Sequence, residues 1–167
     1  MRFPYTDIHK VITDVLNQHN RPIYQFSLRI FEALDFGINK ENLKIWIPLM
    51  SRNIKYLGIL SQSKDKDELP HIVFSCKELT YFKFSSFNLS IPHHFQGFKK
   101  LIELHLDSIE VESRALESFM SACPFLEKLI VDGCSSSDDL VISSTFLKVF
   151  VLKLIQTKTI CLKKQII

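Results

Sequence analysis

The stretch LEKLIVDGC, with Leu126, Leu129, Val131 and Cys134 at its fixed places, fits the repeat consensus L-x-x-L-x-L-x-x-N/C at every position. The same frame recurs at Ile54, Leu57 and Ile59; at Leu79, Phe82 and Phe84; at Leu101, Leu104 and Leu106; and at Leu147, Phe150 and Leu152. Its first positions, 54, 79, 101, 126 and 147, are spaced by 25, 22, 25 and 21 residues. A unit of this kind supplies one short strand and cannot bury its own apolar side, so units must stack, and about three suffice for a stable stack. The expected fold class is therefore α/β: a leucine-rich-repeat solenoid with a parallel β-sheet on its concave face and short helices or turns on its convex face.

Successive strand residues point to opposite sides of a sheet, so the positions three and five after each first residue turn inward. Those at two, four and six turn outward. Three outward rows follow: Tyr56, Tyr81, Glu103, Lys128 and Val149; then Gly58, Lys83, His105, Ile130 and Val151; then Leu60, Ser85, Asp107, Asp132 and Lys153. Adjacent Tyr56 and Tyr81 would form an aromatic anchor, since tyrosine offers a rigid face with a polar tip. Ile130 and Val151 place apolar surface where solvent is expected, which marks a contact surface, unless the face is merely solvated or is covered by further C-terminal chain. Lys83, His105, Asp107 and Asp132 would set polarity and partner choice, and Glu103 and Lys128 stand beside them on the same face. These ten residues form the candidate protein-binding set.

Around the repeats, Ile8, Val11, Ile12, Val15 and Leu16 stand at helical spacing, so residues 1–22 read as an N-terminal helix and cap, with the helix over 7–19. Repeats occupy 23–155, beginning with an atypical unit in which Ile23, Phe26 and Leu28 match the frame. Asn39 is a candidate cap for a convex helix over 40–52, with Leu43, Trp46, Ile47 and Met50 on one side. QSKDKDELPH reads as a loop, and the linkers LPHIVFSCKEL and IPHHFQGFKKL as short turns. Ser113 is expected to cap a helix that buries Leu116, Phe119 and Met120 and ends before Pro124. Residues 156–167 lose the pattern.

The chemistry of common enzymes has no foothold in this pattern. Only four glycines occur, Gly37, Gly58, Gly97 and Gly133, so neither G-x-G-x-x-G nor the P-loop can be written. His93-His94 and Asp138-Asp139 sit in turn-like segments and read as solvated surface. Cys76 and Cys123 precede repeats where a small buried hydrophobe packs well, so core packing is expected of both. No catalytic residue, cofactor or metal site is expected. The net charge of +3 is small and its lysine pairs are scattered, which argues against nucleic acid. No apolar run is long enough for a membrane span and the start lacks the apolar core of a secretory signal, so an intracellular protein, cytoplasmic or nuclear, is expected.

Laid end to end, RPIYQFSLRI, WIPLMSRNIKYLGI, ELPHIVFSCKELTYFKF, IPHHFQGFKKLIELHLDSIEV and LESFMSACPFLEKLIVDGC make the chain resemble the plant F-box/FBD/LRR-repeat proteins over residues 20–155. The resemblance implies the recognition half of an SCF-type ubiquitin-ligase receptor, non-catalytic, whose repeats hold a protein target. A Skp-type adaptor and a cullin are implied as partners only where an F-box is supplied elsewhere, because residues 7–19 lack the leucine-proline entry of an F-box and the tail resembles no FBD domain. The alternative is a leucine-rich-repeat scaffold or immune-receptor-type interaction fragment outside the ubiquitin system.

Overall fold

The computed structural model of the chain describes residues 8–30, 40–62, 67–136, 139–143, 146–156 and 160–163. In chain order the elements are α1 (Ile8–Gln18), β1 (Gln25–Ile30), α2 (Lys40–Met50), β2 (Tyr56–Ser61), β3 (Asp67–Glu68), a 3-10 turn (His71–Ser75), β4 (Tyr81–Ser85), β5 (Phe87–Asn88), β6 (Glu103–Asp107), α3 (Ser113–Ala122), β7 (Lys128–Ser135), β8 (Leu140–Ser143), β9 (Val149–Gln156) and β10 (Ile160–Lys163). One strand per repeat builds an open six-stranded sheet in the order β1-β2-β4-β6-β7-β9, every pair parallel.

The register follows the repeat frame. Phe26, Leu57, Phe82, Leu104, Leu129 and Phe150 lie abreast across the sheet, as do Leu28, Ile59, Phe84, Leu106, Val131 and Leu152. Backbone hydrogen bonds show why the alignment cannot slip. At each strand entry one carbonyl accepts two N–H groups from the next repeat: Tyr24 from Lys55 and Tyr56, Lys55 from Thr80 and Tyr81, Thr80 from Ile102 and Glu103, Ile102 from Glu127 and Lys128, and Glu127 from Lys148 and Val149. A carbonyl oxygen has two lone pairs, so this sharing satisfies the N–H groups where the ladder begins. Two of the units are further closed from behind, because the Cys76 and Cys123 carbonyls accept from Leu79 and Leu126.

Inward residues of the sheet meet the helices and turns on its convex side. Leu43, Trp46, Ile47 and Met50 of α2 are buried against the sheet side chains, and Trp46 meets Phe26 edge-on at 6.4 Å. Trp46 Nε1 donates to Thr13 Oγ1 at 2.8 Å, tying α1 to α2. Ile12 and Leu16 of α1 pack against the core, whereas Val11 and Val15 of the same apolar stripe stay exposed. Farther along, Phe74, Phe95, Phe98 and Phe119 interlock across the next two linkers and α3, with Phe95 and Phe98 centroids 4.9 Å apart and steeply inclined. Edge-to-face contacts of this kind add to the area each ring buries.

Two expectations need correction, and the tail adds a strand outside the repeat pattern. Ser113 does not cap α3: Glu112 holds the cap position without a side-chain bond, and Ser113 Oγ instead accepts from the Val141 N–H at 3.1 Å, joining α3 to β8. The segment read as a plain loop contains β3, which pairs with β5. The tail, without repeat pattern, still contributes β10, paired parallel to β8. Asn39, the candidate cap of α2, lies outside the described residues.

Cys76, Cys123 and Cys134 are buried free thiols. Burial pushes Cys76 from 9.0 up to about 12, against a lowering contact from Ser75, and pushes Cys123 up to about 11. Cys134 is raised for the same reason while donating to the Asp132 carbonyl at 3.3 Å. Native protein at pH 8 should therefore resist a thiolate-selective alkylating reagent at these three positions, and peptide mass spectrometry should find them modified only after denaturation. Because the folded pKa values lie above the unfolded ones, the thiols' contribution to stability is full below about pH 9 and is lost as pH rises toward 11 and 12. Rapid alkylation of Cys76 in the folded state would contradict this packing.

Candidate protein-binding face

Neighbouring strands lie about 4.8 Å apart, so side chains in one row stand at contact distance. That spacing brings the Tyr56 and Tyr81 rings into a parallel stack, centroids 4.2 Å apart and 5° from coplanar. Burial first, then the Tyr56 hydroxyl and the Glu103 carboxylate, raise the Tyr81 phenol above its ordinary 10.0, so it stays a neutral hydrogen-bonding tip at neutral pH. The row continues into the Glu103–Lys128 pair at 3.0 Å and ends on exposed Val149.

His105 occupies the middle of the second row, between Lys83 and Ile130. Burial and then Lys83 hold its imidazole below the ordinary 6.5, outweighing Asp107, Asp132 and Glu103, which pull upward. It is therefore neutral at pH 7. Its Nε2 is solvent-inaccessible and meets no hydrogen-bond partner among the described residues. Beyond it, Ile130 and Val151 are adjacent and half-buried, giving this end of the face an apolar floor.

The third row starts at Leu60 and is polar from Ser85 onward. Ser85 is buried and spends its hydroxyl on the Ser61 carbonyl at 3.2 Å, so it is less available than its outward position implied. Asp107 accepts from Ser108 Oγ at 2.8 Å and lies 3.9 Å from Lys83; Asp132 pairs with Lys153 at 3.1 Å. Half-exposed ion pairs contribute roughly 0–1 kcal/mol to folding. Their larger effect is on the pattern of charge that a partner meets.

All ten candidate residues thus lie on one face, in the rows expected of them. Sequence reasoning stopped those rows one strand short. Gln25, Ser27 and Arg29 of β1 extend them by one residue each, a step available from the Ile23 frame. It also passed over Phe125 and Phe146, each placed just before a repeat's first residue, which are 56% and 50% exposed with centroids 6.2 Å apart. The other candidates do not join this face as a catalytic group: His93, His94 and Asp139 are exposed, and Asp138 lies outside the described residues. Among the described residues no group of three His, Cys, Asp or Glu side chains could hold a metal ion, and no helix is long and apolar enough to cross a membrane.

Comparison with known proteins matches residues 44–166 to a family described as FBD-associated F-box protein At5g56370, LRR repeats. F-box/FBD/LRR-repeat protein At1g13570 of Arabidopsis thaliana is 33% identical over 139 residues, covering 83% of this chain and 32% of the relative. F-box/FBD/LRR-repeat protein At1g78750, also of Arabidopsis thaliana, is 35% identical over 100 residues, 58% of this chain and 22% of the relative. FBD-associated F-box protein At5g38590 of the same plant is 31% identical over 115 residues, 68% and 28% of the two chains. The chain therefore spans between about a fifth and a third of the length of these curated relatives. No solved structure matches. An open parallel sheet with one strand per leucine-rich unit, matched over most of its length by that family, places the chain among the leucine-rich-repeat members of the FBD-associated F-box proteins, to which it belongs.

Proposed function

We propose that the chain is a non-catalytic recognition module that holds a protein target on its concave face, as the substrate-binding region of an SCF-type ubiquitin-ligase receptor. The observation that carries this reading is the composition of that face in register: a stacked tyrosine pair at one end, apolar Ile130 and Val151 at the other, and charged pairs between. Rigid aromatic anchors beside an apolar patch with a polar border are the usual anatomy of a protein interface. Family membership supports the ligase context, in which a Skp-type adaptor and a cullin join through an F-box outside this segment, in the cytoplasm or nucleus.

Affinity purification of the tagged 167-residue chain from plant cells, read by mass spectrometry against an unrelated repeat protein, tests it. The expected result is a specific target protein captured without adaptor or cullin. Capturing nothing above the control would count against recognition by these repeats, and capturing the adaptor would show that the segment itself recruits the ligase.

A further inference from the structure

Because every strand of the six-stranded sheet is parallel, the turns that lead into its strands all lie along one edge. Three of these turns share one form. The N–H groups of Leu79, Leu101 and Leu126 donate to the carbonyls three residues back, Cys76, Phe98 and Cys123, which leaves Lys77-Glu78, Lys99-Lys100 and Pro124-Phe125 as turn tips. Arg52 lies in the turn that ends α2, where the Asn53 and Ile54 N–H groups both donate to the Met50 carbonyl, and Arg21 stands two residues before Ile23.

Counted back from the first residue of each repeat, Arg21, Arg52, Lys77 and Lys99 hold the same place in four successive units. All four are exposed, and none meets a carboxylate among the described residues; Lys99 reaches only the Ala122 carbonyl, at 3.4 Å. Strand spacing sets them roughly 5 Å apart, a basic row about 15 Å long. Lysines that are scattered in the sequence are thus gathered by the repeat, and a chain charge of +3 understates this edge. Two carboxylates on the same edge are already engaged, Glu78 by Lys100 at 2.6 Å and Glu127 by Lys148 at 2.8 Å.

Past Lys99 the edge becomes apolar. Phe125 and Phe146 stand just before their repeats' first residues, at least half exposed and with ring centroids 6.2 Å apart, and Ile102 is nearly half exposed in the entry that precedes them. Tips that project from a sheet edge make a ridge. An extended nucleic acid strand is tracked by a basic groove, and the buried centre of a protein interface is poor in lysine. A ridge of unpaired cations running into protruding phenyl rings complements a flat surface with negative headgroups over an apolar layer. There each cation strengthens binding about fivefold, and each ring gains by leaving water.

We propose that this strand-entry edge is a peripheral contact for an anionic lipid surface, with Arg21, Arg52, Lys77 and Lys99 at the headgroups and Ile102, Phe125 and Phe146 among the upper acyl chains. The contact uses the edge of the sheet and leaves the concave rows open to a target, so it does not rest on the protein-recognition reading.

Flotation of the 167-residue chain with vesicles of equal parts phosphatidylcholine and phosphatidylserine, against vesicles of phosphatidylcholine alone, tests the contact. The chain is expected to float with the acidic vesicles only and to be released by salt. Arg52→Gln combined with Lys77→Gln should weaken binding about 30-fold, and Phe125→Ser combined with Phe146→Ser about tenfold. Lys44→Gln combined with Arg114→Gln, the same charge change on exposed positions of α2 and α3, should bind as the parent does. No flotation with the acidic vesicles, or an equal loss in the α2 and α3 pair, overturns the proposal. If the phenylalanine pair binds as the parent does, the edge reads charge alone, and binding of single-stranded oligouridylate through Arg52 and Lys77 would then reassign it to nucleic acid; either result overturns the lipid contact. Circular dichroism establishes that each variant is folded. Should the Arg52 and Lys77 pair fail to fold, Lys99→Gln alone, with a loss of about fivefold, carries the comparison.

Discussion

Gly97→Ala should cost about 3 kcal/mol or more and leave much of the protein unfolded or aggregated. Gly97 has φ +88, a conformation that costs an L-residue about 1–2 kcal/mol. Space is the larger obstacle, since a Cβ there would fall on the carbonyl oxygen of Ala122 and only 2.5 Å from its carbon. Ala122 ends α3, so the obstacle is backbone at the tip of a packed helix and cannot swing aside as a side chain can. The neighbours Phe98 and Phe119 are fully buried against each other, and any shift of the turn disturbs that cluster as well. Overpacking of this kind adds about 1–3 kcal/mol or more, a large share of the roughly 5–15 kcal/mol that holds a domain together. Gly133→Ala is the comparison: φ is +62, but the nearest atom is Ser108 Oγ at 3.3 Å, the end of a rotatable side chain, so about 1–2 kcal/mol is expected. Urea unfolding of both variants decides the matter, and equal midpoints would show that the α3 contact does not restrain the turn.

Gly97 also shows where sequence reading stops. IPHHFQGFKKL is legible as a short turn because of its proline and its length, but the reason for glycine is a carbonyl in the following repeat, invisible without the stack. The sheet itself was legible almost entirely. A period-two alternation inside a repeat of 21 to 25 residues leaves one register that buries Leu57, Phe82, Leu104 and Leu129 together, and the outward rows follow from it. Small elements outside that frame were not legible. The strands β3, β5, β8 and β10 have two or four residues, too few for a periodic signal, and they exist because they pair with one another beside the main sheet. Ser113 has the residue type of a cap, yet its hydroxyl is used by β8. At the site, rows were legible but their charges were not: which cation closes on which carboxylate depends on side-chain reach across strands, so the open Lys83–Asp107 contact needed coordinates.

Tyr81→Ala combined with Ile130→Asp should weaken binding of the captured target about 100-fold or more while the fold survives. Tyr81 lies stacked on Tyr56 with its hydroxyl neutral, and truncating an aromatic anchor of an interface commonly costs about 2 kcal/mol or more. Ile130 points out of the sheet between buried Leu129 and Val131, so an aspartate there leaves the core packing in place. On binding, the new carboxylate loses water against an apolar partner surface without a matched cation, a penalty of similar or larger size. The two sites lie on strands separated by β6, and their effects should add within a few tenths of a kcal/mol provided the target spans both. Arg114→Ala, on the exposed side of α3 and away from the concave rows, should leave affinity unchanged. Circular dichroism and unfolding midpoints establish that each variant is folded, and titration against the captured protein gives the dissociation constants. If the double variant binds as tightly as the parent, the concave rows are a solvated surface and the target docks elsewhere; if Arg114→Ala loses as much, the contact lies on the convex side.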